Sequence, residues 1–210
     1  DIPTKPNTNE HKIDEKNNRK KAYNSERKQN HVNVPEIVSF LWEKQEFLRS
    51  HYKKNKYKDV ILPLVVITRL DIELKDTKTK VLKKIAELEK KKIKRGPAMD
   101  NDLNRITKKN FNNKSEFENL HDVLGDDPKD VKSNLHDYIN GFSENIQDIF
   151  VKFKFKDVIA ELEEKKILWK AVEHFAKYED MLSKLDNHDM GTVYEELIRK
   201  ANEASHETAG

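Results

Sequence analysis

Apolar residues recur at helical spacing over most of the chain after residue 34, and before it they stand singly among polar ones. Order begins at Pro35, which suits a first helical turn because its missing amide is one that no helix start satisfies internally. Ile37, Phe40, Leu41, Phe47, Leu48 and Tyr52 then follow at the spacing of one helical face. A second helix is predicted over Tyr57–Leu74, apolar enough to need burial on both flanks. Pro63 within it removes an amide donor and crowds the preceding turn, which predicts a kink. A third helix, from Asp76 to about Lys94, carries the narrow stripe Val81, Leu82, Ile85, Leu88 and Ile93 and ends at Gly96-Pro97.

Residues 98–127 break the pattern. They are Asn-rich and irregular, with Phe111 and Phe117 as anchors, room for a short strand or a single helical turn, and a turn at Gly125–Pro128. Helical spacing resumes at Asp127-Pro128, a cap followed by a first-turn proline, and Leu135, Tyr138 and Ile139 lead to a stop at Asn140-Gly141. Ser143 caps a helix bearing Ile146, Ile149, Phe150 and Phe153. Further helices carry Val158, Ile159 and Leu162, then Leu168, Trp169, Val172 and Phe175, and a last one runs from about Asp189 to Ala204 through Val193, Tyr194, Leu197 and Ile198. The fold class is mostly α. It consists of two packed helical sub-blocks, about 35–95 and 127–205, with an irregular connection over 96–126. Residues 1–34 form a disordered or loosely docked polar tail, because they bury too little to offset chain entropy. No internal repeat appears at a solenoid period.

Composition supports the helical reading. Only 5 of 210 residues are Gly, against a turn-rich sandwich or barrel, and charged residues outnumber hydrophobic ones, 38% to 35%. The absence of cysteine excludes disulfides, thiolate metal sites and cysteine nucleophiles, and fits a cytoplasmic location. No apolar run approaches the ~20 residues that span a bilayer, and the polar N-terminus does not read as a secretory signal.

The net charge of +3 conceals a segregation. Residues 75–95 hold 10 basic and 3 acidic side chains, whereas residues 116–148 hold 2 basic and 9 acidic ones. Lys83, Lys84, Lys90, Lys91, Lys92, Lys94 and Arg95 are therefore candidates for contact with a nucleic-acid backbone, the alternative being a solvated helix face. Trp42, Trp169 and the phenylalanines lie on apolar stripes, where core packing accounts for them.

Catalytic motifs are missing: there is no Gly-rich phosphate loop, no His-Glu-x-x-His and no nucleophile elbow. His121-Asp122 and His188-Asp189 suggest a metal-dependent phosphohydrolase, but no further ligands assemble around them. Capping or surface roles account for these pairs. The carboxylates at Glu161, Glu163 and Glu164 and at Glu195 and Glu196 belong to Glu/Lys helix faces. No catalytic, cofactor or metal residue is assigned.

Three segments, taken in order, carry a family resemblance. Tyr57–Asp71 reads Tyr-Lys-Asp-Val-Ile-Leu-Pro-Leu-Val-Val-Ile-Thr-Arg-Leu-Asp, with Thr68 where a basic residue is common. Tyr138–Ser143 reads Tyr-Ile-Asn-Gly-Phe-Ser, followed by Asn145 and Asp148-Ile149-Phe150. Met190-Gly191, Tyr194–Arg199, Ala204-Ser205, Glu207 and Ala209-Gly210 form the third. Together they resemble the N-terminal helical domain of the modification subunit of type I restriction–modification enzymes. Pro63, Arg69, Asp71, Asn140, Gly141, Glu195, Glu196 and Arg199 are the motif positions, with structural or interfacial roles.

The resemblance implies a parent subunit that is an S-adenosylmethionine-dependent adenine-N6 DNA methyltransferase. It implies a Rossmann-like catalytic domain after residue 210, with a Phe-Thr-Pro-Arg segment, a Gly-rich cofactor loop and an Asn-Pro-Pro-Phe motif. The chain alone, holding none of these, would bind no methyl donor and methylate nothing. The implied partners are the catalytic domain, a specificity subunit, a second modification subunit, restriction subunits and duplex DNA, with no membrane. The expected role is DNA clamping and assembly; a pure assembly domain that touches only protein is the alternative.

Overall fold

Residues 32–207 are described by a computed structural model, and their burial pattern dictates the architecture. The reading of residues 1–34 as a polar tail falls, up to residue 31, outside the described residues, as do Ala209 and Gly210. Twelve α-helices and two 3-10 turns occur among the described residues, with no β-strand and one isolated antiparallel bridge, Asn113 to Phe142. The helices belong to one unit running from Val34. None is long and apolar enough to cross a membrane.

Helix α1 (Val34–Glu43) and the short α2 (Glu46–Arg49) bury Ile37, Val38, Leu41, Trp42, Phe47 and Leu48. A 3-10 turn at Lys54–Lys56 leads into α3 (Tyr57–Leu74), which has the predicted limits. It runs unbroken through the buried Pro63; the acceptor four residues back, Asp59, is an exposed first-turn residue. Val60, Ile61, Leu64, Val65 and Ile67 of α3 are essentially inaccessible, because α3 lies against α10 (Leu168–Ala176), α11 (Glu179–Ser183) and α12 (Asn187–Glu207). Helix α12 also covers α1 and the Lys54–Lys56 turn. The first and last helices in sequence thus share one core.

The middle of the chain adds two further packings. Helices α6 (Leu120–Leu124), α7 (Val131–Gly141), α8 (Glu144–Lys152) and α9 (Phe155–Glu164) pack in succession, with α6 also against α10. Rings of Tyr138, Phe142, Phe150 and Phe155 follow one another at centroid separations of 5.3, 6.0 and 5.4 Å. Helix α4 (Lys78–Lys90) packs on α5 (Asp100–Thr107) through a small cluster of its own, Val81, Ile85, Leu88, Met99 and Leu103.

Several local expectations are corrected. The third helix stops at Lys90, so Lys91, Lys92 and Lys94 lie in the turn beyond it. Residues 98–127 contain α5 and α6, and Phe111 and Phe117 are only partly buried; the anchors are Asn112, Asn113, Lys114 and Ser115. Helix α7 starts at Val131 because Asp127–Asp130 forms a separate turn, its Asp130 amide bonded to the Asp127 carbonyl at 3.0 Å. Ser143 occupies the N-cap position of α8 without capping it; its hydroxyl accepts from the Asn112 amide and donates to Asn145.

Helices in this glycine-poor chain end on lysines. Lys92, Lys108, Lys154 and Lys166 all adopt left-handed backbone, with φ of 63°, 54°, 51° and 58°. Two of these endings share one device. Ile85–Ile93 and Ile159–Ile167 differ only by Lys90 against Glu164. In both, the last isoleucine's amide reaches back to a leucine carbonyl (Ile93 to Leu88, 3.1 Å; Ile167 to Leu162, 3.0 Å). The preceding lysine amide bonds Glu89 at 2.8 Å or Glu163 at 2.9 Å. This double closure consumes orphan carbonyls and returns an apolar residue to the core, at a cost of about 1 kcal/mol for a non-glycine residue in the left-handed region.

His174 sits between Phe47 and Tyr178, its Nε2 hydrogen-bonded to the Tyr178 hydroxyl, and burial pushes its pKa down. His136 is also lowered, by burial and then by Lys156 and Lys132. Both therefore favour the neutral ring in the folded state.

Two outcomes follow. Lys166→Gly raises the urea midpoint, with stability up by about 0.5–1 kcal/mol and an unchanged denaturant slope. As pH falls below the unfolded histidine value of about 6.5, the unfolded chain takes up protons before the folded one does. The contribution of the two histidines is then complete above that value and drops toward pH 5; urea titrations between about pH 5 and 6.5 check this, and His174→Phe shrinks the drop.

Candidate nucleic-acid interface

The basic run separates into two populations. Lys83, Lys90, Lys91, Lys92 and Lys94 are exposed, and no carboxylate pairs with them among the described residues. Lys84 is partly buried, with Glu87 at 3.7 Å. Arg95 is committed to the protein: it bonds Glu89 at 2.7 Å, lies 3.5 Å from Glu116 and donates to the Lys114 carbonyl at 3.1 Å. It marks where the basic stretch meets the acidic one. An open cleft of about 800 Å³ here has Arg95 and Lys114 in its lining together with Asp100, Glu116, Asp122, Asp137 and Glu144.

The decisive lysine is one the charge pattern alone does not single out. Lys78 lies three residues before Val81 on the buried stripe of α4 and is only 3% exposed. Its ammonium donates to the Asn113 carbonyl (2.9 Å), Asn113 Oδ1 (3.0 Å) and the Ser115 carbonyl (2.9 Å). Burial drives its pKa from 10.5 to about 7, with Asp71 opposing and Arg95 adding to the fall. A lowered lysine makes the fold most stable above the unfolded value and less so as pH falls toward 7. The ring of oxygen acceptors is what makes the buried cation tolerable.

Asn113 and Ser115 belong to a polar segment threaded between helices. Asn113 Nδ2 donates to the Tyr138 carbonyl at 2.9 Å, and Asn113 Oδ1 accepts from the Ser115 amide at 2.9 Å and its hydroxyl at 2.6 Å. The Lys114 amide bonds the Gly141 carbonyl at 2.6 Å, and the Ser143 amide bonds the Asn112 carbonyl at 3.1 Å. On the other side, Asn112 Nδ2 reaches Asp100 (3.0 Å) and Asn104 (2.8 Å), and Lys114 Nζ pairs with Asp100 at 2.5 Å. One extended stretch thereby joins α4, α5 and the α7–α8 junction.

The motif positions fall around it. Asp71 accepts from the buried Tyr138 hydroxyl; burial raises the Asp71 pKa against that bond and raises Tyr138 as well. Gly141 has no room for a side chain, since a Cβ there would stand 2.5 Å from the Ser115 amide nitrogen. Arg69 pairs with Glu73 at 2.7 Å and donates to the Leu182 carbonyl at 2.9 Å, joining α3 to α11. Pro63 is buried within α3. Asn140, Glu195 and Arg199 are exposed; Arg199 bridges Glu196 and Glu203 along α12.

The aspartates of the two histidine–aspartate pairs take part in capping at helix starts, whereas their histidines cap nothing among the described residues. Asp122 accepts from the Glu118 amide at 3.0 Å while its own amide is capped by Asn119 at 3.0 Å, and the Asp189 amide bonds Asp186 at 2.7 Å. Asp186, His188 and Asp189 lie close enough together to hold an ion, but His121 is not among them. A phosphohydrolase centre using both histidines is therefore not assembled.

A family model described as the HsdM N-terminal domain matches residues 37–175, taking in α4, the buried segment and the α7–α8 junction. No curated protein and no solved structure matches the chain.

Gly141→Ala forces the Asn112–Ser115 segment aside and costs several kcal/mol, whereas Gly191→Ala, which meets nothing within 4 Å on α12, gains about 1 kcal/mol. Thermal and urea unfolding of the two variants check the opposite signs.

Proposed function

From a chain that belongs to the HsdM N-terminal domain family, that of the modification subunit of type I restriction–modification enzymes, we propose a duplex-holding domain that is not itself catalytic. The face it presents is the end of α4 with the turn that follows. One observation carries the reading: Lys83, Lys90, Lys91, Lys92 and Lys94 fall within the single stretch 83–94, are all exposed, and have no carboxylate partner among the described residues. Unpaired ammonium groups displace counterions from phosphates and gain salt-dependent affinity. Lysines are point charges, so they position the duplex without reading its sequence.

The polar segment behind α4 supports the same reading. A helix resting only on five apolar residues would hold its charges loosely. Lys78, Asn113 and Lys114 tie the α4–α5 pair to α7 through buried hydrogen bonds, so the charged face moves with the rest of the domain. The acidic stretch contributes repulsion, turning Glu116, Asp122 and their neighbours away from phosphates. In this reading the methyl donor, S-adenosylmethionine, belongs to the catalytic domain, and the specificity subunit, a second modification subunit and restriction subunits complete a cytoplasmic assembly. Contact with protein alone is the competing reading, and the unpaired lysines favour DNA.

The test is the charge reversal Lys83→Glu, Lys90→Glu, Lys91→Glu, Lys92→Glu and Lys94→Glu in the assembled modification enzyme. Subunit assembly stays intact, DNA affinity falls, and the slope of log affinity against log salt flattens by up to about 4. Unchanged affinity and slope with normal assembly would establish the protein-only role instead.

A further inference from the structure

A second unsatisfied surface lies where α7, α8 and α9 meet. A groove of about 220 Å³ there has Ile139, Phe150, Val151 and Phe155 in its lining. Val151 is 69% exposed, the most exposed large apolar side chain among the described residues, and Ile149 on the same helix is 36% exposed. Phe150 between them is 3% exposed, so the helix turns one ring inward and leaves Val151 in water in the lining of the groove. The space admits one bulky apolar side chain and is below the usual range for a small-molecule site.

The rim is cationic. Lys154 and Lys156 border the groove, with Asp157 the single acid among its lining residues. Lys152 beside them and Lys154 and Lys156 themselves are exposed, and none has a carboxylate partner among the described residues. Lys154 and Lys156, with Lys152 close by in sequence, thus give an apolar groove a cationic rim.

We propose that this groove docks an acidic segment of a partner protein that inserts one large apolar side chain over Phe150 and Phe155. Charge complementarity selects the partner's acidic residues, and the apolar lining selects the anchor. A nucleic-acid backbone matches the rim but gains nothing from Val151 and Phe150, which offer no hydrogen-bond donor. The site is independent of the α4 face, so either stands if the other fails.

The test uses the whole chain and three short labelled synthetic peptides: one rich in Glu around a single Leu, the same with Ser for Leu, and a Lys-rich version keeping Leu. The Glu/Leu peptide binds saturably and at least about tenfold more tightly than either control. Val151→Asp abolishes that binding, and Lys154→Glu with Lys156→Glu weakens it and removes its salt dependence. All three positions are exposed, so the variants keep the parent's unfolding midpoint, which is measured alongside. Absence of saturable binding overturns the proposal, as does equal binding of the Ser peptide or indifference to Val151→Asp. So does a duplex oligonucleotide whose affinity falls with the rim reversals while the peptide's does not.

Discussion

The ammonium group of Lys78 is buried where most proteins would place a methyl group, and the arrangement of the domain's middle third turns on how it is satisfied. Two carbonyls and an amide oxygen face it at about 3 Å, all three drawn from Asn113 and Ser115. A buried cation without such acceptors would cost several kcal/mol. The chain segment that supplies them must therefore run inside the protein, although it is polar. That requirement then propagates. The segment's amides and carbonyls need partners, and they find them at Gly141 and Ser143; its approach leaves no space for a side chain at position 141. Asn113 continues the chain of bonds to Tyr138, whose hydroxyl ends on Asp71 in α3. Four elements distant in sequence are held by one polar path rather than by apolar contact alone.

This explains how a chain with so modest a hydrophobic content keeps a long basic helix in place. Of the basic run, Lys78 and Arg95 face inward or bind carboxylates and carbonyls, and they fix the two ends of the stretch. Lys83, Lys90, Lys91, Lys92 and Lys94 are left to solvent. Structural and functional charge are interleaved in one segment of sequence, and only burial distinguishes them. The same economy appears at the helix ends, where Lys92 and Lys166 occupy positions that glycine would take at lower strain.

Much of the fold is legible from spacing. Helix α3 is dense enough in apolar residues that its limits follow from pattern alone, and the stripes of α9 and α10 lead to the observed core residues. The resemblance over Tyr57–Asp71 and Tyr138–Ser143 leads to the right family, and those stretches meet in space through Tyr138 and Asp71. What escapes the sequence has physical causes. Helices α5 and α6 bury only two and three residues each, too few for periodicity to register. Asn112–Ser115 contradicts the ordinary preference of Asn, Lys and Ser for the surface. The end of α4 is set by a left-handed lysine, not by the Gly-Pro pair that follows. Lys78 alone left a trace, in its position on the stripe that continues through Val81, Ile85 and Leu88.

The buried polar segment is a structural strut and not a loop lying in a crevice. Native-state hydrogen exchange at the Lys114 and Ser143 amides, which bond the Gly141 and Asn112 carbonyls, measures this directly. If the segment is a strut, both amides exchange only through global unfolding, at the free energy of the slowest amides of α3, and Lys78→Met brings them down ahead of the α3 core. Exchange of Lys114 and Ser143 through local opening in the parent protein, while α3 stays protected, would contradict the account.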